Sequence, residues 1–199
     1  MQKTQYEVAN WNGIYNILLE MARIIKHNQI LPEIIVGVSR GGWFPARVLS
    51  DLLDVPQLTS IRIEFYSEIN QPNQQPIITQ PVPLSLHNKC VLLVDDITDS
   101  GKSLLLAKTE LEKTADKTFT LTLYHKPWSC LTPDFYFTET SKWVIFPWEY
   151  HESVKTLATR MINEGFTFAA IIQELISIGF EASLVIRFMK DLFGFQDND

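Results

Sequence analysis

Across residues 11–26 apolar side chains fall at helical spacing, with Ile14, Ile17, Leu18, Met21, Ile24 and Ile25 on one face and Asn10 placed to cap the amino end. The period then changes. Residues 33–38 form a short apolar run, which predicts a strand covered on both faces. Ser39-Arg40-Gly41-Gly42 interrupts the run, and helical spacing resumes over 43–53. Residues 58–65 alternate as a strand does. A second unbroken run, 90–94, precedes a polar loop at 95–101 and a helical pattern over 102–115. Strand patterns return at 119–124 and, more briefly, at 135–137 and 143–146.

Strands alternating with helices predict an α/β fold, a mostly parallel twisted sheet with helices on both faces. Ligands of such sheets bind outside the carboxyl ends of the strands. The two unusual loops, 39–42 and 95–103, both sit at such ends. Residues 66–83 are rich in proline, glutamine and asparagine and read as a long surface loop. After Glu149 the pattern is helical over 151–194. There Gly165-Phe166, Gly179-Phe180 and Gly194-Phe195 recur, as glycine stops between short helices with the phenylalanines as packing contacts. A separate partner-binding module is the alternative for this segment.

Composition narrows the class. With 46% hydrophobic and 20% charged residues in 199, the chain is neither disordered nor collagen-like. Seventeen Lys and Arg against 23 Asp and Glu leave a net charge of −6, which argues against broad nucleic-acid binding. No apolar run reaches the roughly 18–20 residues of a membrane helix. The amino terminus lacks the apolar core of a secretory signal. These features predict a cytoplasmic protein with no nucleic-acid and no membrane partner. Of the two cysteines, Cys90 opens an apolar run, so a reduced, buried thiol is expected rather than a disulfide.

The segment 91–103, Val-Leu-Leu-Val-Asp-Asp-Ile-Thr-Asp-Ser-Gly-Lys-Ser, carries the chemistry. A buried strand ends in the adjacent carboxylates Asp95 and Asp96, and Thr98 leads to a third acid, Asp99. Ser100, Gly101, Lys102 and Ser103 then open a helix, whose free N–H groups and positive dipole end suit a phosphate. The paired acids would bind the two hydroxyls of a ribose or hold Mg²⁺. A nucleotide-triphosphate P-loop requires glycine where Asp96 stands, and an acid there would repel the phosphates.

This segment resembles the phosphoribosyl pyrophosphate signature of the type I phosphoribosyltransferases. The resemblance implies that Asp95 and Asp96 meet the ribose hydroxyls. It also implies that Asp99 acts as the catalytic acid or base near the purine imidazole nitrogens. Thr98 and Ser100 to Ser103 then complete the phosphoribosyl site. Ser39, Arg40, Gly41 and Gly42 look like the family's pyrophosphate loop, in which the peptide corresponding to Ser39-Arg40 is often cis. The 66–83 stretch takes the place of the flexible lid, with Tyr66 and Ser67 near its start.

Lys126-Pro127, and later Trp143 followed at Glu149 by an acid, resemble the xanthine–guanine and archaeal-type hypoxanthine/xanthine branch. That match implies Lys126 on the purine 6-oxygen, Trp143 stacked on the base, Val144 at its Watson–Crick edge and Glu149 on a second Mg²⁺. The bacterial xanthine–guanine enzymes carry an acid two residues after the tryptophan, where this chain has Ile145, so the choice among xanthine, guanine and hypoxanthine stays open. Residues 1–150 would form the transferase domain, with the base-recognition hood at 124–149, and 151–199 a helical extension for dimerisation or for covering the site. The expected partners are phosphoribosyl pyrophosphate, a 6-oxopurine and further copies of the chain as a homodimer or higher homo-oligomer. A regulatory protein on the same fold, and a transferase for another nucleobase, are the rival readings.

Overall fold

Parallel strands with both faces covered dominate the computed structural model, which describes residues 4–66 and 75–194, without the Tyr66 side chain. In chain order the first half comprises β1 (Tyr6–Val8), α1 (Trp11–His27), β2 (Ile34–Ser39), α2 (Trp43–Leu52), β3 (Leu58–Tyr66) and β4 (Gln75–Gln80). β5 (Cys90–Thr98), α3 (Lys102–Leu111), β6 (Lys117–His125), β7 (Phe135–Glu139) and β8 (Trp143–Ile145) follow. After a 3₁₀ turn at Pro147–Glu149 come α4 (Tyr150–Asn163), α5 (Phe168–Ile178) and α6 (Ala182–Phe193). No helix among the described residues is long and apolar enough to cross a membrane.

The chain divides into two compact units, residues 15–141 and residues 1–14 with 142–199. The division falls before Lys142 rather than at 150, because β8 pairs with β1 and not with the main sheet. It also falls within α1, whose start is capped as expected, Gly13 N–H donating to Asn10 Oδ1 at 2.8 Å.

In the larger unit six strands pair in the order β4-β3-β2-β5-β6-β7, all parallel except β4. Ile34, Val36 and Val38 of β2 and Val91 and Leu93 of β5 point to one face, where they pack with Leu104, Ala107 and Leu111 of α3. Gly37 points to the other face, where α2 lies so close that a side chain at 37 would stand 3.0 Å from the Ala46 methyl. Each fully buried aliphatic side chain contributes about 1.5–3 kcal/mol, so this two-faced burial holds β2 and β5 rigidly side by side. From β2 the chain crosses through α2 to β3 on one side, and from β5 through α3 to β6 on the other. The carboxyl ends of β2 and β5 therefore flank a topological switch point, the place where open α/β sheets bind ligands.

Three expectations change. β5 does not stop at Val94: it stays paired with β6 through Asp95↔Thr122, Ile97↔Tyr124 and Thr98↔His125, so the acid pair lies on the strand itself. The 66–83 stretch is not wholly loop, since β4 pairs antiparallel with β3 from Tyr66↔Gln75 to Arg62↔Gln80. Pro76 is tolerated there because β4 is an edge strand. Residues 67–74, including Ser67 of the expected lid, lie outside those described. Cys90, finally, is half-buried rather than buried, and Cys130 is exposed; both are free thiols.

In the smaller unit β1 runs parallel to β8, pairing Tyr6↔Trp143 and Val8↔Ile145. Ile145 packs into a core with Val154, Leu157, Met161, Ile171, Leu175, Val185 and Met189 of the three terminal helices. Gly165, Gly179 and Gly194 have positive φ at the helix ends, as the repeat suggested. Phe180 packs inward as expected at 3% exposure, but Phe166 stands 49% exposed, and Phe195 lies outside the described residues.

Candidate active site

A cavity of about 170 Å³ opens at the carboxyl end of β5, lined by Asp95, Thr98, Asp99, Ser100, Gly101 and Ser103, with Phe65, Ile97 and Leu104. Its floor is the strand tip, and its wall is the amino end of α3. Gly101 caps that helix at φ 79°, a left-handed conformation that glycine adopts freely. A side chain at 101 would also press on the Leu131 N–H at 2.8 Å and on the Ser129 hydroxyl. The turn thus places Ser100, Gly101 and Ser103 on the cavity at a helix amino end, an arrangement suited to a phosphate.

Ser39 closes β2, and the Ser39-Arg40 peptide is cis. Gly41 and Gly42 bring this loop against β5. A Cβ at 41 would overlap the Asp96 carboxylate, and one at 42 would stand 2.8 Å from Asp95 Cα and from the Val38 carbonyl. Only glycine allows that approach. The sheet thus brings Ser39 to Gly42 and Asp95 to Ser103 to one spot, although more than 50 residues separate them in sequence.

The acid pair is electrostatically loaded. Asp96 N–H donates to Asp95 Oδ1 at 2.9 Å, and Ile97 N–H donates to Asp96 Oδ1 at 2.8 Å. Protein packs densely around the Asp95 carboxyl, though part of the residue opens to the cavity. Burial first, and the neighbouring Asp96 charge second, push Asp95 well above the usual carboxylate range, against the pull of the Asp96 and Gly42 N–H groups. Such a site favours added positive charge. Two adjacent carboxylates are hard oxygen donors suited to Mg²⁺, which binds through one or two carboxylates together with substrate phosphates rather than in an all-protein cage. The described residues contain no cluster of three or more His, Cys, Asp or Glu arranged to hold a metal.

Thr98 is 2% exposed, and its hydroxyl donates to that of Thr122 at 3.1 Å. Asp99 and Ser100 are exposed, as are Lys102 and Arg40. Lys126 is buried and belongs to the same unit. Its N–H donates to the Thr98 carbonyl at 3.0 Å, and its ammonium lies 5.3 Å from the Trp128 ring centre. Asp99 Oδ1 accepts a hydrogen bond from the Trp128 indole at 2.8 Å. Neither Phe65 nor Trp128 was singled out by sequence. The signal available for Trp128 was Pro127, which favours a tight turn that would project the next side chain.

Trp143, Val144 and Glu149 lie in the smaller unit. Trp143 is 58% exposed, not core, and lines a separate cavity of about 400 Å³ with Tyr6, Ile145, Glu149, Glu152 and Arg160. Val144 is buried. Glu149 Oε1 accepts the Phe146 N–H at 3.0 Å and so caps the 3₁₀ turn.

Comparison with known proteins gives the family. A phosphoribosyl transferase domain model matches residues 5–154. The xanthine-guanine phosphoribosyltransferase of Cereibacter sphaeroides is 36% identical over 120 residues, 58% of this chain and 68% of that one. The enzyme of the same name from Gluconobacter oxydans is 27% identical over 152 residues, 74% of this chain and 87% of that one. Among solved structures, a purine phosphoribosyltransferase from Pyrococcus horikoshii superposes with a TM-score of 0.66 at 33% identity, covering 72% of this chain and 93% of that one.

Proposed function

The chain belongs to the phosphoribosyl transferase domain family, and on that premise we propose how its residues carry the reaction. It is a purine phosphoribosyltransferase: it moves the 5-phosphoribosyl group of phosphoribosyl pyrophosphate onto a 6-oxopurine and releases pyrophosphate. The observation that supports the assignment of roles is a cavity between an acid-tipped strand and a helix amino end, with the 39–42 glycine loop pressed against that strand.

The 5-phosphate sits on the N–H groups of Ser100 to Ser103, with Lys102 supplying countercharge. Asp95 and Asp96 take the ribose hydroxyls. Ser39, Arg40, Gly41 and Gly42 receive the pyrophosphate, where the Arg40 fork suits phosphate oxygens. Displacement at the anomeric carbon passes through an oxocarbenium-like state, so the protein's task is placement and charge stabilisation rather than covalent attack. Asp99 accepts the proton of one imidazole nitrogen as the other attacks. Lys126 donates to the 6-oxygen, while stacking by Trp143 and the contact of Val144 with the Watson–Crick edge rest on the family resemblance alone. Mg²⁺ held by Asp95 and Asp96 would neutralise the departing pyrophosphate.

The enzyme assembles as a homodimer or higher oligomer, and its substrates are xanthine, guanine or hypoxanthine. Pyrophosphate release with these three bases, adenine and uracil is the test. Release with at least one 6-oxopurine, and less than about one-hundredth of that rate with adenine, is expected, because a buried lysine donor has no acceptor on a 6-amino group. Equal rates with adenine would remove Lys126 from the base site, and no release with any base would make the chain a sensor on the transferase fold.

A further inference from the structure

Trp128 is an anomaly for a tryptophan. At 58% exposure it gains little from burial, yet both its polar edge and its face are engaged. The indole N–H donates to Asp99 Oδ1 at 2.8 Å, and the Lys126 ammonium lies 5.3 Å from the ring centre. The backbone holds it there. Ser129 N–H donates to the Lys126 carbonyl at 3.0 Å, closing a tight turn with Pro127 and Trp128 at its centre. Lys126 N–H donates to the Thr98 carbonyl and Cys130 N–H to the Ser100 carbonyl, each at 3.0 Å. These two bonds clamp the turn to the residues on either side of Asp99, which sets Trp128 opposite it.

We infer that Trp128 is a positioning residue that aligns the proton acceptor and the base-recognition lysine through one side chain. The inference rests on the roles given above to Asp99 and Lys126. An indole N–H only donates, so it fixes Oδ1 as an acceptor and leaves Oδ2 for the purine proton. The ring face attracts the ammonium electrostatically and limits where Lys126 reaches. The two halves of the side chain therefore serve different kinetic terms: the N–H serves kcat, and the ring serves KM for the purine.

A double-mutant cycle over Trp128→Phe and Asp99→Ala tests this, with steady-state kinetics at saturating phosphoribosyl pyrophosphate and Mg²⁺. Trp128→Phe, which keeps a ring and loses the donor, is expected to lower kcat about tenfold with KM for the purine within about twofold. In the Asp99→Ala background the same change should alter kcat less than about twofold, because the group it aligns is gone. Trp128→Ala should in addition raise KM for the purine about fivefold. Equal kcat losses in both backgrounds, or none in either, would overturn the inference. The two readings separate cleanly: if Asp99→Ala keeps full kcat, the role of Asp99 itself falls, whereas a large loss there beside an unaffected Trp128→Phe removes Trp128 alone. Should Trp128→Phe not fold, the indole ¹H–¹⁵N resonances of the wild-type protein and of Asp99→Ala decide. One of the five indole signals must move, and five unmoved signals overturn the hydrogen bond.

Discussion

The carboxylates at the two ends of β5 sit in opposite electrostatic settings, Glu33 beside its amino end and Asp95 near its carboxyl end. At the amino end, Glu33 Oε1 accepts from the Lys89 ammonium at 2.7 Å and Oε2 from the Cys90 N–H at 3.1 Å. The lysine first and the backbone N–H second hold Glu33 below the usual carboxylate range. At the carboxyl end, burial and the adjacent Asp96 charge hold Asp95 well above it. β5 thus meets a satisfied acid, Glu33, at its amino end and carries at its carboxyl end an acid pair in which burial and the adjacent charge disfavour the Asp95 carboxylate. The satisfied acid anchors the strand, while the loaded pair is stabilised when a ligand brings positive charge and hydroxyl donors. The sheet puts the loaded end at the switch point and the satisfied end away from it, so position along the strand distinguishes scaffold from site.

The contrast breaks most forcefully at the loop pressed onto the loaded end. Gly42→Ala would drive a methyl into the Val94 carbonyl and to 2.8 Å from Asp95 Cα, where backbone has to move. A displacement near 1 Å at reacting groups costs about 100-fold in rate, so kcat/KM should fall at least that far, with a lower Tm. Wild-type kinetics in this variant would mean that contact between the 39–42 loop and β5 is dispensable.

Asp95→Asn tests the load directly, with a smaller expected effect. A carboxyl whose folded pKa lies above its unfolded value favours the fold below the unfolded pKa, and that advantage is lost as pH rises through the folded pKa. Removing the charge should therefore stabilise the metal-free protein at neutral pH, on the order of 1 kcal/mol. The gain should grow as pH rises from about 4, and activity should fall about tenfold or more as a ribose acceptor is lost. Chemical denaturation in chelator across that range reads the sign. A destabilised Asp95→Asn at neutral pH would show that the acid pair is not loaded.

Much of this contrast was readable in the sequence, and the exceptions have physical causes. The apolar runs at 33–38 and 90–94 marked the central strands because both faces are covered, and the Asp-Asp…Ser-Gly-Lys-Ser run marked the ligand end. What went unread depends on pairing rather than on period. β1 is three residues long and exists through its partner β8. β4 was hidden by Pro76 and its glutamines, which an edge strand accepts. The continuation of β5 through Asp95 to Thr98 was masked by its charges, although the ladder with β6 continues beneath them. Trp128 meets Asp99 across 29 residues through the β5–β6 register, which no local pattern encodes.

The smallest effect belongs to the satisfied end. Glu33→Gln loses the ion pair with Lys89, whose side chains are 40% and 47% exposed, so solvent screens most of the attraction. The amide keeps an oxygen that the Cys90 N–H can use. A folded pKa below the unfolded value gives stability that is present above the unfolded pKa and lost as pH falls through the folded one. The Tm difference between wild type and Glu33→Gln should therefore be small at pH 7 and vanish on acidification, opposite in sign to the difference for Asp95→Asn. Transferase activity should be unchanged, because β5 stays paired along its length and the cavity is built at its far end. Loss of activity in Glu33→Gln without loss of Tm would mean that the two ends communicate, and the division of β5 into an anchored end and a binding end would fail.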